Sequence, residues 1–267
     1  MGSTDRIPHA LNRLGLLLLL LLAVPASTLL RAQVNPQLQF DKANDRLDEG
    51  NYIDALSIYR SLEEQHRVSG PLFLNMGICY VQLDSLGKAK YYFLKAERYE
   101  ETASQAEEGL QYVESRFSRQ SAVLPKLPWE RFFDWLGNRI GAARLLGFGI
   151  LLLNLGVAGF IATWFIPNLD RKIGIGGIAS GAAGLLIIFS SFYVQYLQNR
   201  YSRAVMIHQR TNVMERPTSE AAVVSQAYEG YTFTVDHHRS AEEAGWYYVR
   251  MSNGLYGWIP DEEIMVL

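Results

Sequence analysis

Two runs without a charged side chain constrain this 267-residue chain more than anything else in it. Residues 145–166 cover 22 positions with only Asn154 and Thr163 clearly polar, and residues 173–197 cover 25. An α-helix rises ~1.5 Å per residue, so either run is long enough to cross a hydrocarbon layer ~30 Å thick. The six residues between them, PNLDRK, allow no long excursion, and the pair reads as a transmembrane hairpin with a loop at 167–172. Two core helices of a water-soluble domain would each need a polar face, which neither run has.

A third apolar run, LGLLLLLLLAV at residues 14–24, follows Arg6 and Arg13 and is short for a stable span. It has the form of a signal-peptide core, so residues 1–32 are expected to direct export, with cleavage after Ala26 or after Ala32. Uncut, it would be an N-terminal anchor. Either way the basic start stays cytoplasmic. The segment 33–120 is then delivered outside, PNLDRK faces the cytoplasm, and the C-terminal part lies outside again. The expected location is a bacterial inner (cytoplasmic) membrane, multi-pass, with both polar domains periplasmic. Arg171 and Lys172 agree with this. Lys126, Arg131, Arg139 and Arg144 before the hairpin, with Arg200, Arg203, Arg210 and Arg216 after it, pull the other way. Translocated domains cross largely regardless of charge, and the first segment usually sets orientation.

Charge divides the chain into parts. Residues 36–120 carry 10 basic and 14 acidic side chains, 121–203 carry 8 and 3, and 204–267 carry 4 and 9. Cations gather at the hairpin, where lipid headgroups would meet them, and both polar parts are acidic, which excludes a nucleic-acid partner. Cys79 is the only cysteine, so no internal disulfide can form, and a small buried helix residue is its expected role.

Sliding the chain by 34 residues pairs Phe40 with Leu74, Ala43 with Gly77, Leu47 with Val81, Ala55 with Ala89 and Tyr59 with Phe93. Small residues recur where antiparallel helices must approach closely, and large ones recur where a ring can fill the space between hairpins. This resembles the tetratricopeptide repeat family over about residues 36–103, with a third helix expected at 104–117. The resemblance implies a protein-binding concave surface that includes Phe40, Asn44, Leu47, Leu74, Ile78 and Val81. Asn44 and Asn75 fall where some relatives hold a peptide carboxylate, but the basic partners of that clamp are missing. The groove would be mostly apolar, either open to a partner or filled by the third helix or the membrane-proximal segment.

In the linker 121–144, Pro125 and Pro128 stop the preceding helix. Trp129, Phe132, Phe133, Trp135, Leu136 and Ile140 then make one broad apolar face, expected at a membrane surface with Arg131 and Arg139 reaching headgroups. In the second span, Gly176, Ser180 and Gly184, with Gly177 and Gly181, permit close approach of another helix, either the first span with Gly156 and Gly159 or a partner's. Neither span holds an Asp, Glu, Lys, Arg or His residue, which disfavours transport.

The last segment, 204–267, alternates short aromatic and β-branched stretches with EG, EEAG and NG, the pattern of a small barrel of hairpins. Through NVMERPTSEAAVV, EGYTFTV, GWYYV and NGLYGWIP it resembles the bacterial SH3-like family. That resemblance implies a groove at Trp246, Trp258 and Pro260 and a core containing Val235, Val249, Ile259 and Ile264. Glu262 and Glu263 replace the Asn-Tyr pair of proline-peptide grooves. His237 and His238 follow Asp236 on what reads as a strand, with no metal-ligand spacing. No catalytic motif, metal site or cofactor site is apparent, and an enzyme is not expected.

The expected architecture is therefore multi-domain: an α-helical tetratricopeptide array, two transmembrane helices and a small all-β SH3-like barrel. This order resembles the Bat E proteins of Bacteroides aerotolerance operons, whose neighbours are membrane proteins with von Willebrand factor A domains. The resemblance implies a membrane-held scaffold, linked to tolerance of oxygen or oxidative stress, that assembles membrane and periplasmic proteins. The alternative is recognition of peptidoglycan by the C-terminal domain.

Overall fold

The computed structural model describes residues 35–119, 123–125, 127–166 and 170–267. The expected signal segment 1–32 lies outside the described residues, as do positions 167–169 of the loop.

Five helices open the described chain: α1 (Pro36–Asp48), α2 (Tyr52–Glu64), α3 (Gly70–Gln82), α4 (Leu86–Ala96) and α5 (Ala103–Arg116). Asn35 and Ser69 start α1 and α3 by accepting the N–H of Gln37 and of Leu72, each ahead of a first-turn proline that has no N–H to satisfy. The chain reverses after α1 at Gly50 (φ 77°) and after α3 at Asp84 (φ 53°), 34 residues on. Helices α1, α3 and α5 lie side by side, while α2 and α4 each pack against the preceding partner. Ala43, Ala55 and Ala89 are fully buried, as the recurrence of small residues requires. A Cβ on Gly77 would come within 2.5 Å of the Phe93 ring and one on Gly109 within 2.8 Å, so both glycines are needed to seat that ring. Cys79 is buried in this core, and burial pushes its thiol up to about 11, which leaves it protonated and inert near neutral pH.

Helix α6 (Pro128–Arg139) leads into α7 (Ala142–Phe165), and α8 (Arg171–Arg200) returns. Helices α7 and α8 are long and apolar enough to cross a membrane. Their outward side chains are bare: Trp164 is 75% exposed and Phe189 70%. Between them the backbones nearly touch. A Cβ on Gly156 would lie 2.4 Å from the Gly181 nitrogen, and one on Gly184 2.6 Å from the Leu153 nitrogen. Ser180 and Ser191 donate to the carbonyls of Leu152 (3.0 Å) and Ala142 (2.8 Å) across the same seam. Of the glycines read as helix-contact residues, Gly177, Gly181 and Gly184 serve this internal pair, and Gly176 has nothing within 4 Å of where a Cβ would stand. Asp170, the last of PNLDRK before the two cations, caps α8 by accepting the Lys172 N–H.

Helix α8 passes directly into β1 (Tyr201–Met206). The strands β2 (Arg210–Met214), β3 (Val223–Tyr228), β4 (Thr232–Asp236), β5 (Trp246–Met251), β6 (Tyr256–Pro260) and β7 (Ile264–Val266) complete one antiparallel sheet of order β3-β2-β6-β5-β4-β1-β7. Its inward face gathers Ala204, Phe233, Val235, Val249 and Ile259, all buried, with Ile264 beside them. His237 and His238 do not continue a strand. They form a single turn, α9 (His237–Ser240), because the Asp236 carboxylate accepts the N–H groups of His238 and Arg239 and caps it.

The helical array and the sheet are docked rather than separate. Val205, on the outward side of β1, is fully buried within the helical core. Ser85 makes no side-chain cap for α4. The missing acceptor is the carboxylate of Glu229, which takes the Gly87 N–H at 2.7 Å from 142 residues away in sequence. Lys90 donates to the Gly230 carbonyl (2.9 Å) and the Tyr91 hydroxyl to that of Val266 (3.2 Å). Phe117 covers Gly230, and the Leu124 N–H bonds the Ser252 carbonyl, so described residues on both sides of positions 120–122 contact the sheet.

Candidate functional site

Two surfaces hold the residues singled out in the sequence. On the first, α1 presents Phe40, Asn44 and Leu47, and α3 presents Leu74, Ile78 and Val81, at helical intervals that put each trio on one face. The structure brings them together on adjacent helices. They are not equally free. Phe40, Leu47, Leu74 and Val81 are partly buried and pack against the core, whereas Ile78 is exposed. Phe40 tilts against the Tyr59 ring at 5.9 Å.

The polar residues of this face satisfy one another. The Asn44 Oδ1 accepts from the Tyr59 hydroxyl at 2.6 Å and from the Asn75 Nδ2 at 2.9 Å, and Asn75 also reaches the Tyr59 oxygen at 3.3 Å. Burial pushes the Tyr59 hydroxyl well above its ordinary range, so it stays a proton donor. An asparagine pair engaged in this way is poorly placed to grip a carboxylate. What remains open of the six is Ile78, with partly buried Leu74 and Val81 beside it on the same helix face. Of the described connector residues, Phe117 and Leu124 contact the sheet.

The second surface is the outward face of β5 and β6. Trp246 stands opposite Pro260 and Tyr248 opposite Trp258 in the ladder, so Trp246, Trp258 and Pro260 share one face. The sequence reading missed the ring between them. Tyr248 meets Trp258 edge-on at 5.2 Å and stacks on Tyr256 at 6.1 Å, while the Arg239 guanidinium lies 4.1 Å over Tyr248. The alternation Trp246, Tyr248, Arg250 was the available signal, since every second residue of a strand shares a face.

The end of the sheet next to α8 is held by charge. Arg200 reaches the Asp236 Oδ2 through two nitrogens, at 2.9 and 3.2 Å. Burial pushes the Asp236 carboxyl up, but the guanidinium and the N–H groups of Arg239 and His238 outweigh it and hold the carboxyl below its ordinary value. Among the described residues no group of three His, Cys, Asp or Glu side chains could hold a metal ion.

Comparison with protein-family models finds none that matches this chain, and comparison with curated proteins finds no match either.

Proposed function

We propose that the protein is a membrane-anchored, non-enzymatic scaffold that offers a helical protein-binding face and an aromatic sheet face on the same side of a bilayer. The observation that carries this reading is the docking of two domains lying on either side of the two apolar helices. Glu229 caps α4, and Val205 is buried in the helical core, which requires an even number of crossings between them. The array is read as tetratricopeptide repeats and the sheet as a bacterial SH3-like domain, on the motifs quoted above. The periplasmic side is favoured by the expected signal segment. The link to an aerotolerance complex, with von Willebrand factor A proteins as neighbours, rests on the order of the parts.

The proposed binding face is the one around Ile78. Leu47 and Leu74 support the core, so their substitution would confound binding with folding, and Ile78 is the cleaner probe. Co-purification of tagged full-length protein from gently solubilised membranes should recover partner proteins that Ile78→Asp loses. Identical partners from both would refute this use of the face.

The gathering of Trp246, Tyr248, Trp258 and Pro260 on one outward face favours a second reading, recognition of peptidoglycan. Full-length protein should then sediment with purified wall material and Trp246→Ala should not. Equal sedimentation, or none by the wild type, would eliminate it.

A further inference from the structure

Helix α6 divides its surface three ways. One face packs on α8: Leu136 is buried with Val194, the Phe133 ring meets Tyr193 edge-on at 4.7 Å, and a Cβ on Gly137 would touch Val194 at 3.1 Å. At 100° per residue, Glu130, Asp134 and Asn138 fall together on one flank, and there Glu130 faces Arg250 of the sheet at 3.8 Å. The opposite flank carries Arg131, Phe132, Trp135 and Arg139. Phe132 is 53% exposed and Trp135 55%, and their rings stack at 6.4 Å. Arg131, Arg139 and Arg144, in the first turn of α7, are exposed, and among the described residues they form no ion pair.

The level of this flank is set by what α6 touches. Tyr193 and Val194 lie two turns before Arg200, where the uncharged stretch of α8 ends, and Tyr193, Tyr196 and Tyr201 are exposed there. Tyrosine and tryptophan at a helix end with arginine beside them are what a headgroup layer selects, since rings settle at the boundary and guanidinium forks pair with phosphate. Of the acids on α6, Glu130 faces Arg250 of the sheet. Neutral headgroups would be served by the rings alone, whereas three exposed cations with no ion pair among the described residues call for net negative charge.

We propose that the flank formed by Arg131, Phe132, Trp135 and Arg139, extended by Arg144, is a binding surface for anionic phospholipid in the leaflet next to the docked domains. It rests on the proposal that α7 and α8 span a bilayer. Lipid clustered there would fix the depth and tilt of α6 and, through the pair between Glu130 and Arg250, the position of the sheet.

The test uses full-length protein reconstituted in phosphatidylcholine vesicles with a small fraction of brominated phosphatidylglycerol or brominated phosphatidylcholine. Quenching of the tryptophan emission that disappears in Trp129→Phe/Trp135→Phe reports lipid at α6. Each arginine near a surface contributes roughly a fivefold preference for anionic lipid. Wild type should therefore be quenched by the anionic tracer at a tenth or less of the neutral tracer's mole fraction, and concentrated salt should erase the difference. The ratio should fall toward one in Arg131→Gln/Arg139→Gln/Arg144→Gln. Equal quenching of wild type by both tracers, or an unchanged preference in the triple variant, overturns the lipid proposal and leaves the membrane reading intact. Absence of α6 quenching by either tracer also overturns the lipid proposal, and the membrane reading falls with it only if the remaining emission, including that of the exposed Trp164 on α7, is unquenched too.

Discussion

Gly87 gives the sharpest handle on the docked architecture. Alone, α4 should welcome alanine there, because replacing glycine inside a helix gains about 1 kcal/mol. In the docked protein the new Cβ would stand 2.5 Å from the Met206 carbonyl oxygen and 2.9 Å from the Cα of Ile207. Both are backbone atoms that no rotamer change can move. Forcing a methyl group into such a contact costs about 1–3 kcal/mol, whereas the helix preference for alanine acts in docked and open protein alike and the cap from Glu229 to the Gly87 N–H is lost on opening with either residue, so neither enters the difference. The net cost to docking is about 1–3 kcal/mol, which raises the open population by roughly 5- to 150-fold. Hydrogen exchange of the detergent-solubilised protein reads this directly. In Gly87→Ala, amides at the start of α4 and in the Glu229–Gly230 turn should exchange faster by that factor, while the glycine seam of α7 and α8 stays protected. Unchanged exchange at both sites, or faster exchange at α4 alone, would mean that the domains do not share this interface.

Three further outcomes follow from the geometry. Asp84 holds a left-handed φ of 53° where Gly50 serves the matching turn 34 residues earlier, so Asp84→Gly should raise stability by about 0.5–1 kcal/mol, measured by chemical denaturation of the array's helical signal. Gly156→Ala should lower the melting temperature in detergent by separating α7 from α8, whereas Gly176→Ala, with open space around it, should leave the melting temperature unchanged or slightly higher. The Asp236 carboxyl is held below its ordinary value when folded, so its pairing stabilises above the unfolded carboxylate range and is lost as pH falls through the lower folded value. Asp236→Asn should therefore be less stable than wild type at neutral pH and converge with it in acid, as thermal scans across pH would record.

The apolar runs and the helical period were legible because each is a simple pattern, a long stretch without charge or a small residue recurring where two helices make close contact. Self-comparison found Ala43 and Gly77 but missed Gly109, the third small residue beside the Phe93 ring. It lies 32 residues after Gly77 instead of 34, because α4 is two residues shorter than α2, the link after it is one residue longer, and Gly109 is the seventh residue of α5 where Gly77 is the eighth of α3. The inward residues of the sheet were readable from alternation. Tyr248 was not singled out, since an aromatic residue in a strand serves a core or a surface equally well until its register is known. The histidines misled because a one-turn helix capped by Asp236 has no periodicity to detect. Docking of the array on the sheet was illegible for a deeper reason. A glutamate that caps a helix 142 residues away looks like any surface acid. The faces holding Ile78 and Trp246 were within reach, while the exact freedom of each side chain was not, because a half-buried leucine and an exposed isoleucine obey the same period.

The scaffold reading is tested most directly by placing a photo-crosslinking amino acid at position 78 in living cells, with Ser57, exposed on α2, as the control. The account predicts discrete adducts with one or a few membrane or envelope proteins from position 78 and none from position 57. The same faint, unspecific pattern from both positions would contradict it.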